Sequence, residues 1–137
     1  MAANLITLAM CLESLGVEGF SLNGDPQNEA EFNSMFSKIT GYDDEGMAVF
    51  STDPADFGVT WAQLTAKKTE LVNAEPMRVL RAERNLRIAE TDWWAFQDQT
   101  MTSEQTAYRQ ALRDITTQTP ALDSSGNLTG ITWPTKP

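Results

Sequence analysis

Residues 78–98, RVLRAERNLRIAETDWWAFQD, decide how the second half of the chain folds. The pair Glu75-Pro76 precedes this stretch. Proline disfavours a helical residue before it and fits well at the start of a helix, so the pair predicts a break followed by a new helix over about Met77 to Glu90. The polar pair Thr91-Asp92 predicts a turn after that helix, and two large aromatic residues, Trp93-Trp94, follow it.

A second helix is predicted further along the same half. Thr102 and Gln105 have the spacing of a capping box, in which each side chain binds the other residue's backbone N–H. The apolar positions that follow recur at helical spacing: Tyr108, Ala111, Leu112 and Ile115. Pro120 ends the helix, and the turn-forming residues 124–127 make a small hairpin possible within an otherwise irregular tail. Residues 76–137 are therefore predicted to form an antiparallel two-helix module with a Trp/Pro-rich C-terminal tail.

The first half, residues 1–75, is predicted to be a small helical region, which makes the whole chain mainly α. Leucines at helical spacing predict a helix over residues 3–15. Asp25-Pro26 resembles a helix start, and the pattern Phe32, Met35, Phe36 and Ile39 predicts a helix after it. Residues 41–58 are predicted to be a loop with a candidate strand at Met47–Phe50. Thr60 and Gln63 form a capping box ahead of a third helix.

The composition argues against most enzyme classes. The 137 residues include 19 acidic and 10 basic side chains, a net charge of −9, no histidine and one cysteine. Without histidine the chain lacks the usual zinc ligand and the usual general base near neutral pH. We therefore expect no catalytic residues, no metal and no cofactor. The negative charge argues against a nucleic-acid partner, and no apolar run is long enough for a membrane span.

The charge is divided unevenly along the chain. Residues 1–75 hold 12 acidic side chains and only three lysines, whereas residues 76–137 hold seven acidic and seven basic side chains, six of them arginines. Four arginines follow one another at three-residue intervals: Arg78, Arg81, Arg84 and Arg87. Since each step turns by about 300° on a helix, they form a slanting band. This band could dock on an acidic partner or on the protein's own acidic half; alternatively, it is a solvated face with local pairs such as Glu83–Arg87.

Three tryptophans and a tyrosine also lie in this half: Trp93, Trp94, Trp133 and Tyr108. Neighbouring helical residues point about 100° apart, so Trp93 and Trp94 cannot both be buried in one direction. We expect Trp93 to pack between the two helices, and Trp94 or Trp133 to be available for contact with another protein.

Residues 78–137 resemble the tail and tail-fibre assembly chaperone proteins of tailed bacteriophages. The resemblance rests on the opening stretch at 78–98, on TAYRQALRDI at 106–115 and on ITWPTKP at 131–137. It implies a non-catalytic protein that binds phage tail, baseplate or tail-fibre proteins. The candidate partner-binding residues are then the four band arginines with Trp93, Trp94 and Trp133, to which the family pattern adds Tyr108, Arg109 and Arg113.

The resemblance leaves open how long the protein stays with its partner. One reading is an assembly factor that acts in the host cytoplasm, and the alternative is a permanent virion subunit in the tail, baseplate or fibre attachment. Self-association is a further option that the sequence leaves open. Neither a nucleic-acid partner nor a membrane partner is expected.

Overall fold

The computed structural model describes residues 6–137, which divide into two compact units between Asn73 and Ala74. Across the described residues about 49% of positions are helical and 14% lie in strands. The expected mainly α fold is therefore confirmed only in part, because the first unit contains a sheet. The predicted helix over residues 3–15 begins outside the described residues. Within residues 6–137, no helix is both long and apolar enough to cross a membrane.

The first unit contains two short helices and a three-stranded antiparallel sheet. Along the chain its elements are α1 (Leu8–Ser14), β1 (Phe20–Leu22), α2 (Glu29–Met35), β2 (Phe36–Tyr42) and β3 (Ala48–Ser51). The strand order is β1-β2-β3, with Leu22 opposite Phe36 and Ile39 opposite Phe50. The candidate strand at Met47–Phe50 is thus confirmed as β3, shifted by one residue.

The prediction of one helix through Phe32, Met35, Phe36 and Ile39 was wrong in its second half. Asn28, and not Asp25, caps α2 by accepting a hydrogen bond from the Glu31 N–H, and the helix ends at Met35. The chain continues directly into β2. Pairing with strands on both sides satisfies the backbone of β2, and this tertiary gain overrides the local helical periodicity. Asp25 instead accepts a hydrogen bond from the backbone N–H of Leu8 at 3.1 Å.

Aromatic rings form the core of the first unit. Phe32, Phe36 and Phe57 pack against one another, with the ring centroid of Phe36 5.0 Å from Phe32 and 4.6 Å from Phe57, and all three side chains are buried. Cys11 on α1 is fully buried in the same core. Burial raises the pKa of its thiol, because a thiolate is poorly solvated there.

The longest element, α3 (Trp61–Ala89), joins the two predicted helices into one. It begins with the predicted capping box, in which Thr60 and Gln63 exchange side-chain hydrogen bonds with each other's backbone N–H. The predicted break at Glu75-Pro76 was wrong. Pro76 removes one N–H donor inside the helix, and the carbonyl left without it belongs to Val72, a residue 40% exposed, so water can solvate that group.

The second unit contains the end of α3, a 3₁₀ turn at Asp92–Ala95, α4 (Ser103–Arg113) and a short hairpin of β4 (Ala121–Leu122) and β5 (Leu128–Thr129). The second predicted capping box, Thr102 with Gln105, begins α4. The hairpin confirms the predicted turn at residues 124–127. Trp94, Tyr108 and Leu112 form the buried core of this unit. The predicted antiparallel arrangement of the two helices remains a prediction.

Candidate protein-binding surface

Arg109 is the centre of a polar link between α4 and the end of α3. Its guanidinium donates to the carbonyl of Ile88 at 3.2 Å, to the hydroxyl of Thr91 at 2.8 Å and to the carboxylate of Asp92 at 3.0 Å. The residue is only 8% exposed. An arginine at the last carbonyls of a helix satisfies acceptors that have no partner within the helix, so Arg109 holds the two elements together.

Thr91 completes this link from the helix end. Its side chain is fully buried and donates to the carbonyl of Ile88 at 3.0 Å while it accepts from Arg109. Thr91 and Asp92 were not among the candidate site residues, although both lie in the quoted stretch at 78–98. Arg109 was a candidate for partner binding, and the structure places its guanidinium inside the unit.

The two adjacent tryptophans have opposite surroundings, in the reverse of the expected order. Trp94 is 4% exposed and packs on Tyr108, with ring centroids 6.0 Å apart, whereas Trp93 is 51% exposed. The assignment of Trp93 to the core was therefore wrong. Both residues lie on a 3₁₀ turn and not at the end of an α-helix, so α-helical geometry did not decide which ring faces inward. Tyr108, another candidate site residue, is buried with Trp94.

Trp133 anchors the C-terminal tail to α3. The guanidinium carbon of Arg87 lies 4.0 Å from the centroid of its ring, within the range of a cation–π interaction. Arg87 also forms an ion pair with Glu83 at 3.1 Å. Trp133 is partly buried and packs against the core of the second unit. Both residues were candidates for partner binding, and in the structure each contacts the other.

The four arginines of the slanting band differ in exposure, as expected for side chains that turn progressively around the helix. Arg78 and Arg81 are exposed, whereas Arg84 and Arg87 are partly buried. Arg78 forms a two-pronged hydrogen-bonded ion pair with Glu75, at 2.8 and 2.6 Å, which lowers the pKa of the glutamate. Local pairing of the kind expected for a solvated face therefore occupies part of the band.

Three arginines of the second unit have no ion pair within the described chain. Arg81 has no polar partner there, Arg84 donates only to the Asn85 side chain, and Arg113 donates only to Gln110. Of the candidate cations, these three are the ones that remain available to carboxylates of another protein.

Two further exposed residues were not predicted. Leu86 on α3 is 63% exposed and Phe96 is 58% exposed. Phe96 closes the 3₁₀ turn with an N–H bond to the carbonyl of Trp93 at 3.3 Å. Phe96 is the extended residue that caps this turn, so the two exposed rings, Trp93 and Phe96, lie three positions apart in the chain. We call this pair the aromatic turn. The only local signal for it was the unusual density of aromatic residues at 93–96.

The polar groups of this unit do not form a metal centre. Across residues 6–137, no group of three or more His, Cys, Asp or Glu side chains is arranged to hold a metal ion. The unit exposes the aromatic turn, Leu86 and Arg81, and the partly buried Arg84 forms no ion pair within residues 6–137. This combination of rings and guanidinium groups is typical of protein-binding surfaces.

A comparison with known protein families finds a match within the second unit. A family model described as "Phage tail assembly chaperone protein" matches residues 77–137, which is the second unit apart from its first three residues. The match confirms the resemblance drawn from the motif pieces and supports a role in phage tail assembly. No curated protein and no solved structure matched the chain.

Proposed function

We propose that the chain is a non-enzymatic, phage tail-associated protein that binds tail or tail-fibre proteins and assists or completes tail assembly in the host cytoplasm. The observation that carries the proposal is the aromatic turn. Trp93 and Phe96 are each more than half exposed within a unit matched by a tail assembly chaperone family. Large rings held on a short turn and left in water are the groups that most often supply binding energy at protein interfaces.

The rings are positioned before any partner arrives. Thr91, two positions before Trp93, and Trp94, directly after it, are both buried, and Asp92 forms an ion pair with Arg109. The backbone that carries Trp93 is therefore fixed on both sides, so a partner does not need to order it. A preorganised ring loses less conformational entropy on binding, which improves affinity.

The unpaired arginines would set the orientation of the partner. Arg81 and Arg84 lie on α3, ahead of the aromatic turn in the chain, and neither is neutralised by a carboxylate of the described chain. Guanidinium groups bind carboxylates in a two-pronged geometry that favours one orientation. Because Arg81 is exposed, its contribution should weaken as salt is added.

The proposal is tested by co-expressing the tagged chain with the tail and tail-fibre proteins of its own phage, followed by affinity purification. Replacing Trp93 and Phe96 together with alanine should reduce recovery of the bound tail protein at least about tenfold. The matched control is Met10→Ala, which removes an exposed apolar side chain from the first unit. Equal recovery with the Trp93/Phe96 variant and with the wild type would refute the proposed surface.

A permanent virion subunit is the alternative within the same class. Mass spectrometry of purified virions separates the two: an assembly factor is absent from the particle, whereas a subunit is present at a fixed ratio to the other tail proteins.

Charge reversal of Arg81 and Arg84 should weaken tail-protein binding most strongly at low salt. Binding that this variant leaves unchanged would reject the orienting role of the arginines.

A further inference from the structure

The outer end of the β2–β3 hairpin exposes apolar side chains that its own unit does not cover. Tyr42 is 70% exposed, Met47 66%, Phe50 48% and Val49 44%. Four large apolar residues exposed within nine positions are concentrated at this one hairpin, whereas scattered exposed apolar residues need no explanation. Together with the loop between the strands, residues 42–50, we call this region the hairpin tip.

Strand β3 is uncovered on both of its faces. Val49 and Phe50 are consecutive strand residues, so their side chains point to opposite faces of the sheet, and both are exposed. The strand order β1-β2-β3 also places β3 at an edge, with hydrogen bonds to β2 on one side. Exposed apolar edge strands favour association with other chains.

The charge of the hairpin tip limits which partner it can accept. Asp43, Asp44 and Glu45 lie in its loop, and residues 39–66 contain no lysine or arginine. Asp43 is engaged by the backbone N–H groups of Glu45 and Met47, which shapes the loop. The Asp44 and Glu45 carboxylates have no hydrogen-bond or ion-pair partner within residues 6–137. The tip therefore fits a surface that is both apolar and positively charged.

The second unit of the same protein has these properties. Its exposed groups include the aromatic turn and Arg81, and the partly buried Arg84, on the same side of α3 as Arg81, also has no carboxylate partner within the described chain. We propose that the hairpin tip of one copy docks on this surface of a second copy. The inference rests on the proposed function, because it assigns a second, competing ligand to the same aromatic and arginine groups.

The net charge of −9 on each copy does not prevent this association. Charges that are further apart than about 8 Å are largely screened at physiological salt, so the matched local charges dominate. Each copy offers one hairpin tip and one arginine and aromatic surface. Because the contact joins two different surfaces, it closes into a reciprocal dimer or a larger ring, or repeats as an open chain. A tail protein that binds Trp93 and Phe96 would then dissociate the self-associated form.

The test is a charge swap measured by sedimentation velocity over a range of concentrations. One variant carries Asp44→Lys and Glu45→Lys, which leaves the loop-forming Asp43 in place. The other carries Arg81→Glu and Arg84→Glu. Each variant alone brings like charges together and should self-associate at least about tenfold more weakly than the wild type. A one-to-one mixture restores opposite charges at every contact between unlike copies, so it should recover the association.

The mixture also controls for misfolding, because two misfolded variants would not restore each other, and circular dichroism checks each variant separately. A wild-type chain that stays monomeric at all concentrations, or variants that associate as the wild type does, would overturn the inference. Failure of the mixture to recover association would overturn it as well. Tail-protein capture keeps the two proposals distinct: a wild-type chain that captures a tail protein but does not self-associate refutes only the second-copy contact, and the Asp44/Glu45 variant should capture the tail protein as the wild type does.

Discussion

Replacing Arg109 with alanine should destabilise the second unit by about 2–3 kcal/mol. The variant loses the bonds to the Ile88 carbonyl and to the buried Thr91 hydroxyl, together with an ion pair to Asp92. Hydrogen bonds to charged groups contribute about 1.5–3 kcal/mol, whereas the Asp92 pair adds less than about 1 kcal/mol because that carboxylate is 60% exposed.

Two features keep the loss below the range for breaking a fully buried ion pair. Thr91 still donates to the Ile88 carbonyl in the variant, so this acceptor is not left unpaired. In the wild type, the Nε atom of Arg109 is buried without a hydrogen-bond partner, a penalty that the substitution removes. Arg109→Lys keeps the charge but not the forked geometry, and it should lose about 1 kcal/mol.

The assay is urea unfolding followed by tryptophan fluorescence, since three of the four tryptophans lie in the second unit. The matched control is Arg113→Ala, one turn further along α4, which removes an exposed arginine bonded only to Gln110 at 3.3 Å. The control should stay within about 0.5 kcal/mol of the wild type. If Arg109→Ala lowers the free energy of unfolding by as little as Arg113→Ala does, Arg109 does not hold the unit together and its buried hydrogen bonds do not stabilise the fold.

Three smaller perturbations test the other assignments. Trp94→Ala should lower the free energy of unfolding by about 3–5 kcal/mol, whereas Trp93→Ala should lower it by less than about 1 kcal/mol. Thermal unfolding measures both variants, and equal effects would contradict the opposite burial of the two rings. Trp133→Ala should lower stability by about 1 kcal/mol or more and speed hydrogen exchange in the C-terminal tail; an unchanged exchange rate would contradict the anchor. Arg78 holds the pKa of Glu75 below its usual 4.5. The pair therefore adds at most about 1 kcal/mol to the free energy of unfolding above pH 4.5, and this stabilisation is lost as the pH falls through the lowered pKa. Glu75→Gln should therefore lower the urea midpoint at neutral pH, and this difference should shrink as the pH falls through the lowered pKa; a difference that does not shrink in acid would contradict the pairing.

The features that the sequence predicted correctly are local ones. Both capping boxes depend on two residues three positions apart, and the turn at residues 124–127 depends on four consecutive residues. The slant of the arginine band around α3 follows from helical geometry alone. Glu83 and Arg87, which form an ion pair, are one turn apart on the same helix. No distant part of the chain is needed for these features, so their patterns could be interpreted correctly.

The features that were missed depend on partners far away in the sequence. Strand β2 forms because β1 and β3 supply hydrogen-bond partners, although its residues follow a helical pattern. The choice between Trp93 and Trp94 depends on where Tyr108 packs. The guanidinium of Arg109 donates to the carbonyl of Ile88, which is 21 positions away. Because this partner is distant in the sequence, Arg109 resembled a surface residue although it is buried.

The central claim is that the exposed side chains after α3 bind a tail protein, whereas the buried residues beside them hold the unit together. Site-specific photo-crosslinking tests it most directly. A photoreactive amino acid is placed at position 93 and, as a control, at position 117, an exposed residue of the same unit. In cells that co-express the tail proteins of the same phage, position 93 should give a crosslink to a tail or tail-fibre protein and position 117 should give none. Crosslinks from position 117 but none from position 93 would contradict the claim.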